Sequence, residues 1–454
     1  MVKTEGGGTV GISDIRLYIP PPMMTMESLV PHRVRMNPRL ERHLERACRV
    51  TGQKAIRFPE MWEDSATLAA TAAHALLREC SAMDARAVRH LVIGTETGVD
   101  HSKPLSAYVQ GMLQTAGAGL PSSLSSFQTQ HACAGSTMAL LSVAGMLAAG
   151  GAGRECGIVV STDIARYDSE STAEITQGAG AVALLVETSP RLVELDLPTV
   201  GYFSSDVDDF FRPLGSTTAR VDGGYSMRCF WDSLEAAFLD HCSRTGEKPE
   251  RVLLDTDYIV LHTPFRNMPE SAMEKLLERV LGYDAERTKA YLAERSFAAA
   301  VDPIARIGNL YSGSLTAGLA FLLGDRVRAL GQGIVGKRIL LASYGSGNTM
   351  VVTAGRVARG APDVVSRWDL ERIFTSARSA SFEEYDAWTS GPVQAELQAR
   401  LMENAAVPPD SFVLSGIRKD GYREYEFRKT REQGDRVEER EAPGDLHRSI
   451  AIPS

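Results

Sequence analysis

Short apolar runs alternate with longer helical patterns along most of this chain. Residues 10 to 20, "VGISDIRLYIP", form a strand-like run halted by three prolines, whose missing N–H groups end a ladder. Residues 62 to 80, "WEDSATLAATAAHALLREC", place apolar positions at helical spacing behind acidic and hydroxyl residues suited to a helix start. A buried strand over 89 to 97, "RHLVIGTET", then leaves into a polar loop. Next comes a small-residue helix after "FQTQHACAGST", followed by β-branched and aliphatic runs at 156 to 167 and 178 to 187 that suit central strands.

The second half repeats the alternation without repeating the sequence. It predicts a helix over 226 to 242, a strand over 258 to 265, a helix over 272 to 282, a small-residue segment over 308 to 323 and a strand with a glycine turn over 338 to 352. Alternating β and α elements predict a layered α/β architecture with sheets covered on both faces. The break between halves falls in 187 to 197, which divides the chain into 1 to 195, 196 to 430 and a charged, flexible tail over 431 to 454. Beyond residue 410 a hairpin is expected around Asp420-Gly421.

Composition narrows the class. The chain has 454 residues, 44% hydrophobic and 23% charged, in the range of ordinary globular proteins. A net charge of -8 argues against nucleic-acid binding, which needs a concentrated basic surface. The six cysteines show no C-x-x-C spacing, so neither a zinc site nor a disulfide framework is expected. No hydrophobic leader or run near 20 apolar residues stands out, so a cytoplasmic protein with no membrane segment is the expectation.

Candidate chemistry starts at Cys133, set between two alanines ahead of a helix, where unsatisfied N–H groups lower a thiol pKa. Taken alone, a cysteine among small residues is more often packing. His262 in "VLHTPF" ends an apolar strand, a place where α/β enzymes present side chains, though taken alone a histidine there is more often a hydrogen-bonded structural residue. Asn309 in "IGNLYSGS" offers an amide to an oxyanion or a cap to a helix. Ser346 lies in "SYGSGNT", a glycine turn that either simply bends the chain or lines a site; it lacks the lysine of a phosphate loop. Glu96, in "GTETGVDHSKP" just past a buried strand, is either a solvated carboxylate or a partly desolvated acid/base.

Together these stretches carry a pattern that none carries alone. Cys133 in "ACAGST", His262 in "HTPF" and Asn309 in "GNLYSGS" resemble the Cys-His-Asn set of thiolase-fold condensing enzymes. With Glu96, and with "STDIARY", "TQGAGAVALLV", "DFFRP" and "SYGSG", the chain resembles the 3-hydroxy-3-methylglutaryl-CoA synthase family over about residues 10 to 430.

That resemblance implies a five-layered αβαβα thiolase-like fold of two pseudo-symmetric halves, assembled as a homodimer. It implies acetyl transfer to Cys133, enolate formation by Glu96 as general acid/base, and attack on a β-ketoacyl thioester, with His262 and Asn309 polarising oxygens. Asp163, Tyr167 and Asp209 match positions that support the pocket. No metal or cofactor is implied, only coenzyme A or phosphopantetheine thioesters, the latter on an acyl carrier protein.

Departures from the family bear on substrate choice. Arg266, Asn267 and Ser271 stand where relatives that use coenzyme A carry phosphate-facing lysines, so either a carrier-linked substrate or a replacement charge from Arg266 is expected. Ala134 replaces an aromatic, making room for a bulkier acyl group, and His131 is placed to alter the charge beside the sulfur. Two other readings stay open: a ketosynthase-III-like enzyme that does not use Glu96, and an inactive binding homologue.

Overall fold

The computed structural model describes residues 9–80, 83–150, 155–390 and 407–429. The tail over 431 to 454 lies outside the described residues. A ten-stranded mixed sheet organises the chain. Its order runs Tyr258–Leu261, Arg338–Gly345, Thr349–Val357, Val193–Leu195, Val10–Tyr18, Gly178–Thr188, Cys156–Ala165, Val88–Gly94 and Ser125–Thr129, with Gly201–Ser204 also pairing with Thr349–Val357. The short strand Val193–Leu195 pairs on one side with Val10–Tyr18 and on the other with Thr349–Val357, so the sheet continues across the expected boundary near residue 195.

Alternation along the strands shows why both faces are covered. Leu91, Ile93, Ile158, Val160, Ala181 and Ala183 pack into one apolar cluster, while their neighbours Val92, Val159, Val182 and Leu184 pack into another. The first face receives the helix Ser65–Glu79, which starts on an Asp64 cap accepting from the Ala66 and Thr67 N–H groups at 2.9 and 3.1 Å. The second receives Gly135–Gly150. In the other half, Gly223–Thr245 packs on Gly201–Ser204 and Thr349–Val357, and Ser314–Leu330 on Tyr258–Leu261 and Arg338–Gly345.

The helical stretch Ala132–Gly150 is long and apolar enough to cross a membrane by length and composition. Contacts with the strands Val88–Gly94 and Cys156–Ala165 account for that apolarity as packing. The strand expected over 258 to 265 stops at Leu261: the His262 N–H still donates to the Ala342 carbonyl, but the Thr263 N–H turns to the Ser314 hydroxyl and Pro264 has none to offer. The Asp420-Gly421 hairpin forms between Ser411–Ile417 and Arg423–Arg428, with Gly421 at φ 88°.

Candidate active site

Two adjacent parallel strands, Val88–Gly94 and Ser125–Thr129, end side by side, and the loops leaving them carry Glu96 and Cys133. Gly94 is required where they meet the catalytic helix: a Cβ there would stand 2.3 Å from the Ser136 backbone. Ala132 adopts φ 41°, a left-handed conformation unusual for a residue with a Cβ, directly before the cysteine. The turn closes with the Ala134 N–H donating to the His131 carbonyl at 2.9 Å.

Cys133 is 8% exposed and packs among Ala165, Tyr167, Ala219 and Tyr311. The rings of Tyr167, Phe210 and Tyr311 meet edge-on, with centroids 5.8 to 6.4 Å apart, and form an aromatic wall. The thiol donates to Glu96 Oε1 at 3.3 Å, and Arg212 Nη2 pairs with Glu96 Oε2 at 3.1 Å. Behind this pair Asp163 is fully buried, accepting from the Thr95 and Thr97 hydroxyls, the Glu96 N–H and the Ser312 N–H.

Burial pushes the Glu96 carboxyl up to about 7, with Arg212 opposing the rise. Burial and then the Glu96 charge push the Cys133 thiol well up. The expectation of a thiol lowered by the helix N-terminus is therefore corrected: desolvation and an adjacent carboxylate outweigh the helix dipole. Proton removal from this sulfur needs a base, and Glu96 is in contact with it.

His262 is buried, and burial lowers its pKa to about 3, so the ring is neutral at ordinary pH. The Ser314 hydroxyl accepts from the Thr263 N–H at 3.0 Å and lies 2.7 Å from His262 Nδ1. This contact fixes the ring through Nδ1; in the tautomer where the hydroxyl donates to Nδ1, the ring proton lies on Nε2. Asn309 Oδ1 accepts from the Tyr311 N–H at 2.8 Å, leaving its amide NH2 as a donor.

A cavity of about 710 Å³ opens beside this centre, lined among others by Glu96, Ala132, Arg212 and Ser346. Tyr167 belongs to the wall around the sulfur. Asp209 does not line the cavity; buried, it accepts from the Ser226 and Tyr344 hydroxyls and the Gly347 N–H, tying the glycine turn to a neighbouring helix.

Three further expectations are corrected. Ala134 is fully buried facing Gly345, where an added Cβ would come within 2.8 Å of its own, so the strand end takes the space an alanine frees. His131 meets the cysteine turn through its backbone, and burial lowers its pKa, so it adds no charge beside the sulfur. Arg266 pairs with Glu270 and, at 2.9 Å, with Asp302, so its charge is already matched within the protein. Asn267 bonds to the Arg49 and Val50 carbonyls, and the Ser271 N–H donates to the Asn267 carbonyl inside a helix.

Neither Arg212 nor Tyr311 stands out in the sequence as a site residue, although both lie in stretches that carry the resemblance. The signal was an arginine set among aromatics in "DFFRP". Among the described residues no cluster of three or more His, Cys, Asp or Glu side chains is arranged to hold a metal ion.

The layered α/β fold, with a cysteine at the head of a buried helix, defines a thiolase-like protein. A family model for the hydroxymethylglutaryl-coenzyme A synthase N-terminal region matches residues 8–190. A solved structure, MvaS in complex with 3-hydroxy-3-methylglutaryl coenzyme A, superposes with a TM-score of 0.79 at 32% identity, covering 93% of this chain and 100% of that one. The hydroxymethylglutaryl-CoA synthase of Enterococcus faecalis is 28% identical over 393 residues, 87% of this chain and 94% of its own length. The polyketide biosynthesis 3-hydroxy-3-methylglutaryl-ACP synthase PksG of Bacillus subtilis is 26% identical over 75% of this chain and 79% of its own. The chain belongs to the 3-hydroxy-3-methylglutaryl-CoA synthase family.

Proposed function

We propose that this chain condenses an acyl group held on Cys133 with a β-ketoacyl thioester, in the manner of hydroxymethylglutaryl synthases. The observation that carries the reading is Glu96 Oε1 in hydrogen-bond contact with the Cys133 sulfur, its carboxyl near pKa 7 and so able to take and return a proton at neutral pH.

Acylation begins when Glu96 accepts the thiol proton, the sulfur attacks the donor thioester, and the proton passes to the departing thiolate. Glu96 then removes a methyl proton from the acetyl group on Cys133. The resulting carbanion attacks the ketone of the acceptor, and Glu96 returns its proton to the new alkoxide. Water cleaves the Cys133 thioester, leaving a carboxylate and the free thiol. In this reading His262, in the tautomer protonated on Nε2, and the Asn309 amide donate to the thioester and ketone oxygens.

Because Glu96 touches the sulfur, a ketosynthase-like scheme that leaves it idle is disfavoured. The substrate is read as a pantetheine thioester. Arg266 is matched by Glu270 and Asp302, and Asn267 and Ser271 carry no charge, which favours a carrier-protein-linked donor over coenzyme A. The resemblance also supports a cytoplasmic homodimer, which sedimentation analysis would check.

Intact-mass analysis after exposure to acetyl-CoA and to an acetyl-carrier protein tests the reading. One acetyl group on the Cys133 peptide, discharged by an acetoacetyl thioester with release of a hydroxymethylglutaryl product, is expected. No label from either donor would sink it.

A further inference from the structure

Arg166 follows directly on the strand Cys156–Ala165 and lines the same cavity. Its guanidinium lies 5.2 Å from the centre of the Trp388 ring, another lining residue. Its Nε is buried with no hydrogen-bond partner, and among the described residues its side chain enters no ion pair. The charged group that acts on it is Arg212, a like charge, and burial followed by that repulsion lowers its pKa to about 10.

No carboxylate of the cavity wall is left over to match it. Glu96 is held by Arg212. Glu60 and Glu384 share Arg378. Asp64 is paired with Arg423, Glu63 accepts from Tyr18 and the Glu60 N–H, and Asp100 accepts from the Ser102 and Lys103 N–H groups. A partly desolvated guanidinium without an anion is costly, and a planar fork seated on an indole is preorganised to grip a carboxylate through two N–H bonds.

We propose that Arg166, seated on Trp388, is the binding site for a carboxylate borne by the acyl group in the cavity. The inference rests on the reading of this cavity as a thioester site. A carboxylate fits better than a phosphate of the substrate arm, because the two chain neighbours of Arg166, Ala165 and Tyr167, pack around Cys133. Any phosphate is a pantetheine length away from the reacting carbon. Two sources supply such a group: hydrolysis at Cys133 makes one, and a dicarboxylic acyl chain brings one in.

The test uses the full chain carrying Cys133→Ala and two thioesters that differ by one carboxylate, glutaryl-pantetheine and butyryl-pantetheine, with binding read by calorimetry. A preference for the glutaryl compound of roughly ten-fold or more is expected, the scale of a charge-assisted hydrogen bond. Arg166→Met should abolish the preference while leaving butyryl binding unchanged, which also reports that the variant is folded. Absence of the preference, or its survival in Arg166→Met, overturns the proposal.

With Cys133 intact, the rate of loading by succinyl-pantetheine separates the sources. An Arg166-dependent rate assigns the carboxylate to an incoming acyl group, whereas Arg166-dependent glutaryl binding without it assigns the carboxylate to the product. If neither pantetheine thioester binds, the thioester reading itself fails and takes this inference with it.

Discussion

The Cys133 sulfur lies 3.3 Å from Glu96 Oε1, so nucleophile and carboxylate form one proton-sharing unit before any substrate arrives. Glu96→Ala removes a base but also removes the charge that, after burial, raises the thiol pKa. Acylation should therefore persist, slowed by about ten-fold, while condensation falls by roughly 10²- to 10⁴-fold. Mass labelling of Cys133 and product formation, measured separately, distinguish the two steps; equal losses in both would contradict this assignment.

The second relationship is between Glu96 and Arg212. Turnover needs the ionised carboxylate, so activity should be lost as pH falls through about 7, where burial has moved the Glu96 pKa. Arg212 lowers that pKa, so Arg212→Met should move the inflection of the kcat/KM profile upward. His262 titrates near 3, so it contributes no inflection between pH 5 and 9.

The Ser314 hydroxyl lies 2.7 Å from His262 Nδ1 and holds the ring in orientation. Ser314→Ala removes that constraint and leaves the Thr263 N–H without its acceptor. Turnover should drop about five-fold, matching one lost hydrogen bond of about 1 kcal/mol. The Glu96 inflection should stay where it was.

Gly94 allows the end of its strand to press against the backbone of the catalytic helix. Gly94→Ala places a methyl 2.3 Å from Ser136, and the helix must move. A loss of stability of about 1–3 kcal/mol in urea unfolding, with slower Cys133 acylation, is expected.

Away from the site, Arg33 pairs with Glu174 at 2.8 Å and Asp386 at 2.9 Å, joining three distant segments. Glu174 is buried, so Arg33→Met leaves its charge uncompensated. Unfolding by denaturant should show a loss of about 3 kcal/mol at pH 7.

The sequence by itself determined the alternation of strands and helices and the place of Cys133 at a helix head, because two-residue and 3.6-residue periodicities are local. It also carried Cys133, Glu96, His262 and Asn309 as a set, since their surrounding stretches keep a recognisable pattern. Only the tertiary structure decided which charges meet. Arg212 reaches Glu96 across 116 residues, Arg266 turns to Glu270 and Asp302, and Arg166 is left with no anion. The direction of the Cys133 pKa was decided in the same way. A helix N-terminus is visible in a sequence, but the desolvation and the facing carboxylate that outweigh it exist only once segments far apart in the chain are packed together.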